Sequence, residues 1–162
     1  MKSGFYRVLA VMAACLASPW ASWHQRRIRK HGRSLTLKEE GYAHALDLKD
    51  CDRIFICEMK RVPNPLYPLL CLLQRCGASC ITRAAGITLG HGIYVSTECA
   101  HSPELIAHEL VHVGQYQRAG SIWSFMVEYI HQCLLHGYFD AAWEEEARKK
   151  SLRILNGQND QS

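Results

Sequence analysis

The sequence predicts an α+β fold: a small sheet or hairpin packed on a helix that carries a His-Glu-x-x-His pattern, with two further helices toward the C-terminus. Three observations carry this expectation. Gly86-Ile87-Thr88-Leu89-Gly90-His91-Gly92-Ile93-Tyr94-Val95-Ser96 holds two β-prone triplets around Gly-His-Gly, the pattern of a tight hairpin. Ser102-Pro103-Glu104 then supplies a helix start, with a capping hydroxyl, a proline at the first helical position and an acid at the positive end of the macrodipole. Apolar residues recur at helical spacing from there almost to the C-terminus.

Taken in order, the chain opens ambiguously. Lys2 and Arg7 precede an uncharged run from Val8 to Trp23, interrupted by Ser18-Pro19. Those 16 residues are fewer than the roughly 20 a membrane span needs. Residues 1–31 are therefore an N-terminal apolar and basic segment open to two readings. One is a signal or membrane anchor; the other is a first helix, buried or lying at an interface. The basic cluster His24–Arg33 suits a solvated linker or a contact with anionic lipid, so a membrane surface is one expected partner. Nucleic acid is not expected, because neither aromatic interleaving nor a recognition fold accompanies the cluster. The compartment stays open among cytoplasmic, membrane-associated and exported.

Residues 32–155 are expected to form one domain, which suits 162 residues that are 48% hydrophobic and 21% charged with a mild net charge of +4. Residues 35–50 predict a short helix in which Thr36 caps Lys38-Glu39-Glu40. Residues 52–58 predict a strand, and Val62–Pro68, with three prolines, an extended loop. Leu69–Cys76 fits a helical turn or a buried connection equally. After the hairpin, the motif helix runs to about Arg118 and Gly120 ends it. A second helix covers Ser121–His136, closed by Gly137; a third covers Asp140–Leu155, and 156–162 is expected to be a disordered tail. The eight cysteines include no Cys-x-x-Cys pair and have apolar neighbours, so buried reduced thiols are expected rather than disulfides.

The chemistry lies in His108-Glu109-Leu110-Val111-His112. Two histidines four apart on a helix sit one turn apart on one face and can reach one metal ion, with Glu109 beside them as a base. This is half of a zinc site. The branch whose third ligand is a histidine is excluded, because Gln115 and Arg118 occupy the positions of its extended pattern. The other branch takes a glutamate from a later helix, and Glu144-Glu145-Glu146 lies 32 residues past His112.

With these residues in view, the chain resembles short bacterial zinc-dependent peptidases with an HExxH…E motif, minimal relatives of the gluzincins. The resemblance rests on Ala107–Tyr116, Gly120, Phe125, Tyr129, Gly137-Tyr138 and Glu144–Arg148, with Ala85–Gly90 and Ile93-Tyr94 before them, and covers about residues 32–150. It implies a minimal zincin-like fold, Zn2+ as cofactor, His108 and His112 as ligands, Glu109 as general base and Glu144 as third ligand, with Glu145 and Glu146 still in contention. The family's aspartate that orients a ligand histidine is replaced here by Arg148, a departure from the pattern that weakens the expected support of that histidine and with it the expected catalytic strength. Tyr138, Tyr129, His131 and His136 are candidate oxyanion donors, and Gln115, on the same face as His108, is a candidate second-shell or substrate contact.

The expected function is hydrolysis of peptide bonds in a peptide or protein substrate, by a zinc-activated water with Glu109 as base. The alternative is a non-catalytic, zinc-stabilised binding or membrane-surface adaptor module. A closed fourth ligand from His131, His136 or a cysteine would distinguish it.

Overall fold

The computed structural model describes residues 2–63 and 84–159. They form an α+β fold of five helices and a four-stranded mixed sheet. The order is α1 (Lys2–His31), β1 (Arg33–Ser34), α2 (Leu37–Ala45), β2 (Phe55–Met59), β3 (Gly86–Leu89), β4 (Gly92–Ser96), α3 (Pro103–Ala119), α4 (Ile122–His136) and α5 (Ala142–Asn159). Asn64–Pro68 of the proline loop, the stretch Leu69–Cys76 and the cysteines 71, 76 and 80 lie outside the described residues.

The sheet order is β1-β2-β4-β3, with β2 and β4 parallel and the other two pairs antiparallel. The predicted hairpin is β3–β4, turning at Gly90-His91 with Gly86 opposite Val95. Because strand side chains alternate between faces, β4 feeds both layers of the core. Tyr94 joins Leu89, Tyr116, Phe125, Ile130 and the alanines of α1, whereas Ile93 and Val95 join Ile54, Ile56, Ile106, Leu110 and Val113. The sheet is thus sandwiched, with α1 and α4 contributing to one cluster and α2 and α3 to the other.

α1 departs most from expectation. Ser18-Pro19 does not interrupt it, and the basic cluster is the end of the helix rather than a linker. Proline forfeits a backbone hydrogen bond, but Pro19 is on the exposed side, where that loss is least costly, while Ala10, Ala14, Ala17, Ala21 and Ile28 bury the other side. Helix 35–50 is shorter than predicted, since Asp47 and Asp50 take left-handed φ of 55° and 51°. The strand predicted from Asp52 starts at Phe55, after a 3-10 turn over Cys51–Arg53. α5 continues to Asn159, past the expected start of the tail at 156. The caps at Ser102 and Gly120 stand as predicted, Gly120 at a φ of 77° that favours glycine, while Ser121, expected as the first residue of the next helix, caps it instead. Among the described cysteines, 15, 51, 57, 99 and 133 are all free, but Cys15 is exposed and the others are half-buried, so burial is less than their apolar neighbours implied.

Thr36 caps α2 as a capping box: its hydroxyl accepts from the Glu39 amide, and the Glu39 carboxylate accepts from the Thr36 amide at 2.7 Å. The same buried carboxylate takes both arms of Arg33 at 2.7 and 2.8 Å. Burial alone would raise the pKa of Glu39, but the Arg33 and Thr36 hydrogen bonds outweigh it and hold the group below its ordinary value. A lowered folded-state pKa gives stability that is complete above the unfolded value and lost as pH falls through the folded one. Glu39→Gln is therefore expected to cost about 1–2 kcal/mol at neutral pH, with the deficit shrinking below the carboxylate range. Urea unfolding at neutral and acid pH measures it.

Candidate metal centre

α3 is apolar on the face that meets the sheet, through Ile106, Leu110 and Val113, which turns His108 and His112 toward α5. Glu144 lies in the first turn of α5, where the positive end of the helix dipole favours a carboxylate. The three side chains converge. The two imidazole Nε2 atoms are 3.1 Å apart, Glu144 Oε2 is 3.4 Å from His108 Nε2, and Glu144 Oε1 is 3.4 Å from His112 Nε2. Ligands at 2.0–2.1 Å around a tetrahedral zinc stand about 3.3 Å from one another. The three donors therefore fit one metal of that size. Among the described residues, no fourth histidine, cysteine or carboxylate joins them. An N2O donor set suits zinc, but it also accommodates other divalent first-row metals.

The alternatives to Glu144 are engaged elsewhere. Glu145 pairs on the surface with Lys149, and Glu146 pairs with Arg118 and Lys150. Glu144 is almost completely buried, its side chain 2% exposed. Tyr129 of α4 donates to its Oε1 at 2.6 Å. Burial would raise the pKa of Glu144, but the hydrogen bonds from His108, His112 and Tyr129 hold it far below the usual range. Burial would likewise lower His112, but the Glu144 and Glu109 carboxylates push it up to about 9. The site sets the Glu144 and Glu109 carboxylates beside two imidazoles, a local negative charge that also attracts a dication.

Gln115 settles the geometry of His112. Its amide nitrogen donates to the Trp143 carbonyl at 2.8 Å and to Glu146 Oε2 at 3.0 Å. Both partners are acceptors, so the amide oxygen must face the other way, where it lies 2.7 Å from His112 Nδ1. Nδ1 then carries a proton in every state, which leaves Nε2 as the nitrogen that would give its lone pair to a metal in place of its proton toward Glu144. Arg148, which replaces the expected aspartate, points away and donates to the Phe139 carbonyl at 2.5 Å.

Glu109 stands beside this set and is not part of it. It is buried, and the Thr88 hydroxyl lies 2.7 Å from its Oε2 and 2.9 Å from its backbone carbonyl. Burial raises its pKa, against the opposing pull of His112, His108 and Thr88, which makes it a stronger base than an ordinary carboxylate. Gly86 leaves room for it: a Cβ there would come within 2.6 Å of Glu109 Oε1.

The remaining candidates divide. Tyr138 is half-exposed, and burial together with the Glu144 carboxylate keeps its hydroxyl protonated, as an oxyanion donor requires. His136 is exposed at the end of α4 and makes no hydrogen bond in the site, so the structure does not bring it in. His131 is half-buried with Nε2 unpartnered. His91, in the hairpin turn, is half-buried between Gln25 and Gln117. Thr88 and Gly86 were not singled out as site residues. Their signal, a hydroxyl and a side-chain-free position on the hairpin strand before the motif, is legible only once that strand is known to lie beside α3.

A family model, the eCIS core domain (extracellular contractile injection system core), matches residues 72–120. That is less than a third of the chain. It spans the hairpin and all of α3, with His108, Glu109, His112 and Gln115, but not Glu144. No curated protein and no solved structure matches the chain.

If Gln115 fixes the tautomer of His112, Gln115→Leu is expected to weaken metal affinity by about 10–100-fold. Arg148→Ala should leave it unchanged. Competition against a chromophoric chelator reads both.

Proposed function

We propose that the chain is a zinc-dependent peptidase. The observation that carries this reading is the convergence of His108, His112 and Glu144 at tetrahedral spacing, with Glu109 held alongside and outside the donor set. A zinc ion in that set would supply Lewis acidity to a water and to a substrate carbonyl. The chain's own residues do the rest. Glu109 takes the proton of the attacking water and passes it to the departing amide nitrogen; its raised pKa suits both halves of that transfer. Thr88 holds the Glu109 carboxylate in place, Gln115 keeps the His112 proton on Nδ1, and Tyr129 anchors Glu144. Tyr138, whose hydroxyl stays protonated, is the residue we assign as donor to the developing oxyanion.

A substrate path is also at hand. β3 pairs with β4 alone among the described strands and ends the sheet order, and its Thr88 touches Glu109. An extended peptide adding to that edge would pass beside the base.

The eCIS core match favours a second reading, a non-catalytic module associated with such an injection system and stabilised by its metal. That reading is strongest with a fourth protein ligand, and the described residues offer none.

Two measurements separate the readings. Metal analysis is expected to find about one zinc per chain, lost in His108→Ala and His112→Ala. Digestion of a peptide library, followed by mass spectrometry, is expected to show zinc-dependent cleavage that disappears in Glu109→Gln while zinc stays bound. Gly86→Ala, which crowds Glu109, should reduce cleavage and spare zinc. Zinc binding without cleavage overturns the peptidase in favour of the module; no zinc binding overturns both.

A further inference from the structure

We propose that the outward face of α1 docks on an anionic lipid bilayer, with the helix lying parallel to the membrane plane. This goes beyond the peptidase reading and does not depend on it.

α1 has two unlike sides. The inner side is lined by Ala10, Ala14, Ala17 and Ala21, all buried, and small residues there let the helix approach α4 closely. Phe5, Met12, Leu16 and Trp23 are spaced by seven, four and seven, so they form one stripe along the opposite side. The twelve large apolar residues exposed among the described ones include seven on α1, with Leu16 81% and Met12 63% open to solvent. Single exposed apolar residues are ordinary, but a row of this kind marks a contact surface. From Phe5 to Trp23 the stripe runs about 27 Å at 1.5 Å per residue.

Charge identifies the occupant. Beyond Trp23 the helix continues with Arg26, Arg27, Arg29 and Lys30, all exposed, and residues 2–31 contain no acid. The Arg27 guanidinium sits 5.7 Å from the centre of the Trp23 ring, an amphipathic pair at the border between the apolar and basic parts. An apolar stripe, a tryptophan at its edge and a basic end match acyl chains, headgroup level and anionic headgroups in turn. Pairing α1 with a second copy of itself would leave those cations without an acidic partner. Crossing the bilayer would carry inward the Arg7–Glu128 ion pair and the His24–Tyr94 hydrogen bond, which tie α1 to α4 and β4. By length and composition Gly4–His31 is long and apolar enough to cross, so it is these two ties to the rest of the fold that favour the surface orientation.

The test is flotation of the full chain with phosphatidylcholine vesicles, with and without about a third phosphatidylglycerol. The chain is expected to float with the anionic vesicles and to dissociate as salt rises. Leu16→Glu should reduce the bound fraction at least about tenfold without changing the unfolding midpoint, and Met12→Glu should repeat the result at a second exposed position. Leu37→Glu, at an 88% exposed position on α2, should have no effect. Arg26→Ala with Arg27→Ala should weaken binding and flatten its salt dependence. The proposal is overturned by no flotation, by equal flotation on neutral vesicles, or by flotation insensitive to Leu16→Glu. A dimer that Leu16→Glu dissociates, without lipid binding, overturns it in favour of self-association.

Discussion

A buried carboxylate is the constraint on which the rest of this structure depends. Glu144 is removed from water and cannot stay ionised there without compensation. Two imidazoles, a phenol and the first turn of α5 supply it, drawn from the three helices α3, α4 and α5. That requirement explains the path of the C-terminal half. α4 returns the chain so that α5 can start beside α3, it contributes Tyr129 to the carboxylate, and its Gln132 accepts from the Trp143 amide at the start of α5. Along the α3–α5 seam, the His108–His112–Glu144 cluster is followed by Gln115 on the Trp143 carbonyl and Glu146, and then by Arg118 on Glu146. The helices are joined by a ladder of polar contacts whose buried end is the candidate site.

Much of this was legible in the sequence because the informative signals are local. A hydroxyl before Pro103, a glycine at 120 and a hydroxyl at 121 set helix limits through hydrogen bonds made within one turn. The hairpin was equally local, and so was the pairing of His108 with His112. The third ligand was different: a run of three glutamates does not say which one faces inward. Glu145 and Glu146 both have basic residues four positions on, Lys149 and Lys150, whereas the corresponding residue for Glu144 is Arg148, which is bonded to Phe139. Arg148 is basic as well, so helical spacing alone does not separate the three glutamates, and only the structure shows which one turns inward.

The support of the ligand histidine was not legible, because it crosses elements. In the zincin pattern that the sequence resembles, the orienting acid stands one turn after the glutamate. Here the same task falls to Gln115, three residues after His112 on the ligand helix itself. An amide is ambivalent where a carboxylate is not, since it offers a donor and an acceptor. It becomes selective only because Trp143 and Glu146 occupy its donor side. The loss at Arg148 is thus offset by a residue whose role depends on a partner 28 positions away, and no motif spacing reveals that. Thr88 was hidden for the same reason: its value comes from lying beside Glu109 across the sheet–helix packing.

The apolar breadth of α4 bears on what α1 is. Ile122, Phe125, Met126, Tyr129, Ile130, Cys133 and Leu134 cover more of its circumference than one packing partner needs, and a helix apolar on most sides must be covered on most sides. α5 takes Tyr129 and Gln132; α1 takes much of the remainder, with Glu128 bonded to Arg7 at 2.8 Å. Glu128 and Tyr129 are adjacent and therefore point about 100° apart, one toward each neighbour. Phe125 stacks on Tyr116 and Tyr129 and leans on Trp143, so the same aromatic layer that backs the site belongs to the cluster that α1 completes. Removing α1 would uncover that layer. In this structure the N-terminal helix is a member of the core that supports Glu144.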